Sequence, residues 1–351
     1  MTRIAALVAG TAALTAVAGA LHYAGGSPTA VFLLAGVALA GLAWLIGTAT
    51  ESVGVRFGHA VTGVLQSTLG NLPELFIVLF ALSAGEVVVA QTSILGSLFA
   101  NALLVLGLAV VAGSRAAGEN PMRFRRRLPN DTATLLLLAL SVIALLGLSD
   151  RLGDRASAHE VQISVVGAIC LLAVYGVWLW SYIRSERRVE PAIEEPAHGA
   201  MPFVPALGML ALAGVAAAFV SDWFIAALDP AVEALHISKA FAGVVIVGIA
   251  GNAVENVVGI TLAAKGQSDL AVSVVKNSVA QVAAFLFPAL VLLSLFFSTR
   301  LTFVLNPVYV AALAVTALAL WQITGDGEAY AFEGLALVGI YIVLATVTFF
   351  E

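Results

Sequence analysis

Charge is the scarcest resource in this chain. Charged side chains make up 11% of its 351 residues, against ~25% in an ordinary soluble domain, while 61% are hydrophobic and the mean hydropathy is +1.04. A soluble globular protein is excluded, and the composition is that of a membrane protein. The net charge of -5 is modest and the basic residues gather in loops, so neither a nucleic-acid surface nor a site for acidic substrates is indicated. A single cysteine, Cys170, rules out an internal disulfide framework. It lies in an apolar stretch and reads as a small buried hydrophobe. No Ser/His or Asp/Asp dyad stands at reactive spacing, and the histidines fall near helix ends and loops, so the chain is not read as an enzyme and needs no cofactor.

What the chain has in abundance is apolar runs. A helix needs roughly 20 apolar residues to cross the hydrocarbon core. Cutting at charge, Gly and Pro clusters predicts about eleven transmembrane helices, over 4–22, 29–50, 54–83, 87–112, 131–149, 160–183, 203–228, 237–264, 269–297, 302–323 and 331–350. The first run has the look of a secretory signal but is longer than most signal cores, and it is taken as a leading transmembrane helix within 1–28. Loops orient the protein. SRAAGENPMRFRRRLPN carries Arg115, Arg123, Arg125, Arg126 and Arg127, and the segment starting IRSERRVE carries Arg184, Arg187 and Arg188. Both follow even-numbered spans, so the positive-inside rule places them and the N-terminus in the cytoplasm and the C-terminus outside.

A second regularity is internal. GNLPELFIVLF (70–80) has a twin, GNAVENVVGIT (251–261), which sets Gly70, Asn71 and Glu74 against Gly251, Asn252 and Glu255 at an offset of 181. The same offset pairs Gly85 with Gly266, Ala90 with Ala271, Ser97 with Ser278 and Ala102 with Ala283. The chain therefore reads as two five-helix repeats, 29–183 and 203–351, joined by a cytoplasmic linker of mixed charge over 184–202. Five crossings per repeat make the second enter the membrane inverted relative to the first. Such inverted repeats characterise secondary transporters whose site lies near the midplane.

A carboxylate at the centre of a membrane helix costs about 2.5–3.5 kcal/mol on insertion scales and normally faces a cavity. Two symmetry-related ones, Glu74 and Glu255, mark a site. Gly70 and Gly251, with Pro73 in the first copy, are expected to interrupt their helices and free backbone carbonyls beside the carboxylates. Asn71 and Asn252 add amide oxygens, and Ser97, Ser278 and Gln281 come from the next helix of each repeat. Every donor is oxygen, a set suited to a hard cation such as Ca²⁺ or Mg²⁺. Asn101, Glu51 and Asn256 are secondary candidates.

These residues amount to a resemblance to the Ca²⁺/H⁺ (cation/proton) exchanger family of the calcium:cation antiporter superfamily. It is carried by the paired GNxxE segments, by ATESVGVRFG (49–58) and SDWFIAALDPAVEALHISKAFAGVVIVGIAGNAVEN (221–256), and by SILGSLFANALLVLG (93–107), SDLAVSVVKNSVAQVAAFLFP (268–288) and DGEAYAFEGLALVGIYIVL (326–344). The resemblance implies an all-α multi-pass membrane protein of two inverted five-helix repeats plus a leading helix. It implies that Glu74 and Glu255 hold either Ca²⁺ or protons, with Asn71 and Asn252 helping to coordinate. Its substrates would be Ca²⁺, with other divalent cations open, and H⁺; its setting would be the lipid bilayer of a prokaryotic cell (inner) membrane. A homo-oligomer is left open. The chain also departs from the family. Asn256 stands where many members have histidine, Lys276 and Asn277 precede Ser278 where many have Gly-Ser, and Tyr309 stands where several have an acidic residue.

Further residues have plainer readings. Lys276, about 140° around its helix from Gln281, reads as snorkelling to the surface near Asp269, with a fixed charge near the site as the alternative. Glu51 reads equally as an interfacial partner of Arg56 and as a cation-access residue, and His59 as a helix-end residue. The acidic string Glu186, Glu190, Glu194 and Glu195 reads as a solvated linker ahead of a calcium sensor. Burial and like charge both disfavour the ionised glutamate pair, so two neutral states, Ca²⁺-bound and doubly protonated, would cross and exchange would result. Rival readings are a Na⁺/Ca²⁺ exchanger, which usually carries Thr or Ser at positions 71 and 252, and a passive cation channel.

Overall fold

The computed structural model describes residues 2–54, 65, 69–118, 120–125, 127–186 and 201–351. Arg56, His59, Arg126, Arg187, Arg188 and the acidic residues of the linker from Glu190 to Glu195 lie outside them. Almost everything described is helix, as every lipid-exposed backbone amide must be satisfied within its own segment. The order is α1 (Thr2–Tyr23), α2 (Pro28–Gly54), α3 (Leu72–Ser83), α4 (Val87–Ala116), α5 (Arg127–Leu152), α6 (Glu160–Glu186), α7 (Phe203–Ala226), α8 (Leu228–Leu235), α9 (Lys239–Gly251), α10 (Ala253–Ala264), α11 (Ser268–Phe296), α12 (Pro307–Thr324) and α13 (Ala331–Phe349). A two-stranded antiparallel ribbon, β1 (Met122–Arg123) with β2 (Glu328–Ala329), joins two interhelical loops.

Among the described residues nine helices are long and apolar enough to cross a membrane, or ten if α8 and α9, bent by 111°, count as one. The difference from about eleven lies in the two motif-bearing spans. Ahead of Asn71 the first is described only at Leu65, Leu69 and Gly70, and the second is broken at Asn252.

The repeat is visible in the helix bounds. Leu72–Ser83 and Ala253–Ala264 begin and end at positions related by the offset of 181. The turns that follow both rest on a glycine in the left-handed region, Gly85 at φ +81° and Gly266 at φ +76°, where a side chain would be strained. The next helix of each repeat contains a π-helical segment, Ala100–Val105 in α4 and Val282–Leu286 in α11. Such bulges cluster at functional sites, and no local sequence signal announces them.

α2 lies along α7, with Phe32 stacked on Phe224 at 4.4 Å between ring centroids. α4 crosses α9 almost backbone to backbone, since a Cβ on Gly96 would stand 2.6 Å from the Gly243 carbonyl oxygen. Outward faces are apolar and exposed, as at Leu145, Val177 and Trp180, which suits lipid contact. Cys170 belongs to such a face. It is exposed, so the reading of it as a buried hydrophobe is corrected: lipid accepts an apolar side chain as readily as the core does.

Candidate cation site

Both GNxxE helices break one residue after the glycine. Asn71 (φ -84°, ψ 11°) and Asn252 (φ -97°, ψ 24°) leave the helical run, and each asparagine carbonyl then accepts from the amide four residues on, Leu75 at 3.0 Å and Asn256 at 2.9 Å. Pro73 fits this position because the first turn of a helix has no use for its missing N–H. Glu74 and Glu255 thereby fall in the first turn of α3 and α10. There the free amides and the positive end of the helix dipole favour a carboxylate.

The two glutamates are buried, Glu74 at 0% and Glu255 at 7% exposure. Each lies against the glycine of the other repeat. A Cβ on Gly251 would fall on the Glu74 carboxylate, 2.6 Å from its carboxyl carbon, and one on Gly70 would stand 3.4 Å from Glu255 Oε1. The inverted motifs thus interlock, and the bare Gly251 gives the Glu74 carboxylate its room.

Around them the helices α4 and α11 supply neutral oxygens. Ser97 donates to Glu74 Oε1 at 3.4 Å. Asn101 Nδ2 donates across the repeats, to Asn252 Oδ1 at 2.5 Å and to Ser278 Oγ at 2.9 Å. Asn252 Nδ2 in turn donates to the Gly248 carbonyl at 2.7 Å. The amide nitrogens of these asparagines are therefore occupied by protein acceptors. Oxygens are left over, since Glu74 Oε2, Asn101 Oδ1 and Gln281 Oε1 are buried without a partner. A buried acceptor without a donor costs about 1–3 kcal/mol, a cost that a bound cation would offset. No cluster of three or more His, Cys, Asp or Glu occurs among the described residues, so the hard-oxygen set rests on two carboxylates supplemented by amides and hydroxyls.

Asn71, Gly70, Gly251, Ser97, Ser278 and Gln281 are all buried, and the Gln281 side chain hydrogen-bonds Tyr175 of α6. Of the secondary candidates, Asn101 joins the network directly. Its signal in the sequence was its place one helical turn after Ser97. Asn256 donates to the Ile249 carbonyl at 3.1 Å, within its own broken span, and Glu51 is exposed at the end of α2. Lys276 overturns the snorkelling reading. It is fully buried, and its Nζ donates to Thr324 Oγ1 at 2.6 Å, because this face of α11 packs against the end of α12. Asp269 is matched instead by Arg125, whose backbone amide reaches it at 2.7 Å. Tyr309 donates its hydroxyl to the Glu351 carboxylate, so an acidic group stands near that position by another route.

Residues 27–184 and 205–350 match the sodium/calcium exchanger protein family. The chain belongs to that family. Within it, the Ca(2+)/H(+) antiporter of Synechocystis sp. is 31% identical over 95% of this chain and 94% of its own length. The Ca(2+)/H(+) antiporter ChaA of Bacillus subtilis is 30% identical over 97% and 96%. The solved structure of native YfkE superposes with a TM-score of 0.82 at 28% identity, covering 98% of this chain and 99% of that one. The resemblance to the Ca²⁺/H⁺ exchangers of the superfamily, the all-helical membrane fold and the reading as a transporter rather than an enzyme are thus borne out.

Proposed function

We propose that this exchanger is a secondary active antiporter that trades Ca²⁺ for H⁺, with Glu74 and Glu255 as the one pair of carboxylates that both ions use. The observation that carries the reading is the interlock of the two motifs: two buried carboxylates, one from each inverted repeat, each set against the other motif's glycine. Ca²⁺ neutralises the pair, and so do two protons. The bare dianion, with nothing to offset its charge in a low-dielectric interior, is too costly to carry across. Ca²⁺ and protons must then replace each other, which is exchange. Asn71, Asn252, Asn101, Ser97, Ser278, Gln281 and the carbonyls of Gly70 and Gly251 complete the oxygen shell. α2 and α7, which lie against each other, would shift relative to the motif helices to present the site to each side in turn.

The test is uptake of radiolabelled Ca²⁺ into vesicles. An imposed pH gradient drives accumulation, and an imposed Na⁺ gradient of the same size does not. Na⁺-driven uptake without a response to pH would replace the reading with a Na⁺/Ca²⁺ exchanger, against which Asn71 and Asn252 already argue, and equilibration without counter-flux would indicate a channel. The bacterial relatives favour a cell-membrane setting. In this reading the arginine loop around Arg123 and Arg125 is cytoplasmic and Glu351 lies outside, as the positive-inside rule favours. Membrane-impermeant labelling of single cysteines in a Cys170→Ala background checks this, and labelling of the loop from outside would invert the orientation.

A further inference from the structure

The two repeats differ at one end of the molecule. Glu86 follows Gly85 in the turn between α3 and α4 and stands at the N-cap of α4 without making a side-chain cap bond. Its carboxylate instead takes the Lys239 ammonium on both oxygens, each at 2.8 Å. Lys239 opens α9 and also holds Asp229 Oδ1 of α8 at 2.7 Å. One ammonium therefore ties together the turn beyond Glu74, the arm that continues α7, and the span that leads to Asn252.

The corner it sits in is held elsewhere too. Between α8 and α9 the chain turns by 111°, with His236 in the left-handed region at φ 54°, an uncommon conformation for a residue with a side chain. Ser238 accepts from the Phe241 amide at 2.8 Å and donates to the Thr348 carbonyl at the end of α13.

None of this charge recurs at the positions related by the repeat. Gly266 reproduces the left-handed turn, but Gln267 stands in place of Glu86 and Gly58 in place of Lys239. Inverted repeats of identical sequence would hold the two access states at equal energy. Contacts made by one repeat alone decide which state is favoured.

We propose that the Lys239–Glu86–Asp229 cluster is a one-sided latch that holds closed the face carrying Glu86 and so biases the empty site toward the opposite face. The proposal rests on the alternating-access reading above. α7 lies along α3, the helix of Glu74, and the latch fastens the continuation of that arm to the turn at the end of α3. Lys239 and Glu86 side chains are 36% and 21% exposed, so the pairs are partly sheltered, and losing them should change the ratio of the two states by about fivefold.

The experiment places single cysteines at Ile77 on α3 and Ala217 on α7, both buried, in the Cys170→Ala background. A membrane-impermeant maleimide is applied from the face carrying Glu86, without any ion gradient. Lys239→Met should raise the labelling rate at both positions about fivefold. Glu86→Gln should do the same while keeping the size of the side chain, and so carries the test if Lys239→Met does not fold. Lys239→Arg, which keeps the charge that faces both Glu86 and Asp229, should leave the rate near that of the parent. Unchanged labelling in a variant that still binds Ca²⁺ as the parent does would overturn the latch. Because labelling needs no antiport, an intact latch response in a protein that fails the vesicle test would condemn the proposed function and leave the latch standing.

Discussion

Replacing either Glu74 or Glu255 by glutamine should abolish exchange, a loss of about 100-fold or more, in a protein that still inserts and runs as a monodisperse species. Glutamine preserves the volume, and at position 74 it preserves an oxygen for the Ser97 hydroxyl, which donates to Glu74 Oε1 at 3.4 Å. What it removes is the charge. A neutral amide neither holds a divalent cation against its hydration shell nor takes up a proton at neutral pH. The substitution lowers the cost of burial, because a neutral side chain replaces one whose ionised form is penalised in the bilayer, so misfolding is not the expected outcome. Transport in vesicles and size-exclusion behaviour in detergent are the two readouts. Wild-type exchange in either variant would remove that residue from the coupling pair.

A second large effect is expected from a single methyl group. Gly251→Ala would set its Cβ on the Glu74 carboxylate, 2.6 Å from the carboxyl carbon, whereas Gly70→Ala would stand 3.4 Å from Glu255 Oε1, an ordinary contact distance. Overfilling a close-packed site costs about 1–3 kcal/mol, and here the group displaced is a proposed ion ligand. Gly251→Ala should therefore weaken apparent Ca²⁺ affinity about tenfold or more, while Gly70→Ala stays within about threefold. Ca²⁺ titration of the two purified variants distinguishes them. Equal effects would mean that the glycines serve the helix breaks alone and not the interlock.

The GNxxE motifs were legible because physics leaves few reasons to place a carboxylate at the head of an apolar run, and the offset of 181 doubled the signal. The same offset relates the helix bounds of α3 and α10 and the paired glycine turns that the structure shows. Contacts between repeats were not legible. That Gly251 faces Glu74, or that Asn101 bridges Asn252 and Ser278, depends on how distant spans cross, and the sequence holds no periodicity that records it. The π segments were invisible for a related reason, since one extra residue per turn leaves an all-apolar pattern unchanged. Lys276 misled because a lone lysine on an apolar helix usually reaches water. Here Thr324 intercepts it. Cys170 misled because apolar neighbours mark a lipid-facing surface as well as a core.

The most direct test of the central claim, that one pair of carboxylates serves both ions, is Ca²⁺ titration of the purified protein across a series of pH values, with and without Na⁺. If protons and Ca²⁺ compete for Glu74 and Glu255, acidification binds protons to the ion-free form and raises the apparent Kd, while saturating Ca²⁺ restores full occupancy. Where both groups are protonated before Ca²⁺ arrives, about two protons leave per ion bound, so log Kd against pH approaches a slope of magnitude two; at high pH it flattens. Na⁺ should leave the curve in place. A Kd that does not move with pH over the range in which the protein stays folded, or one that Na⁺ shifts strongly at fixed pH, would contradict the account.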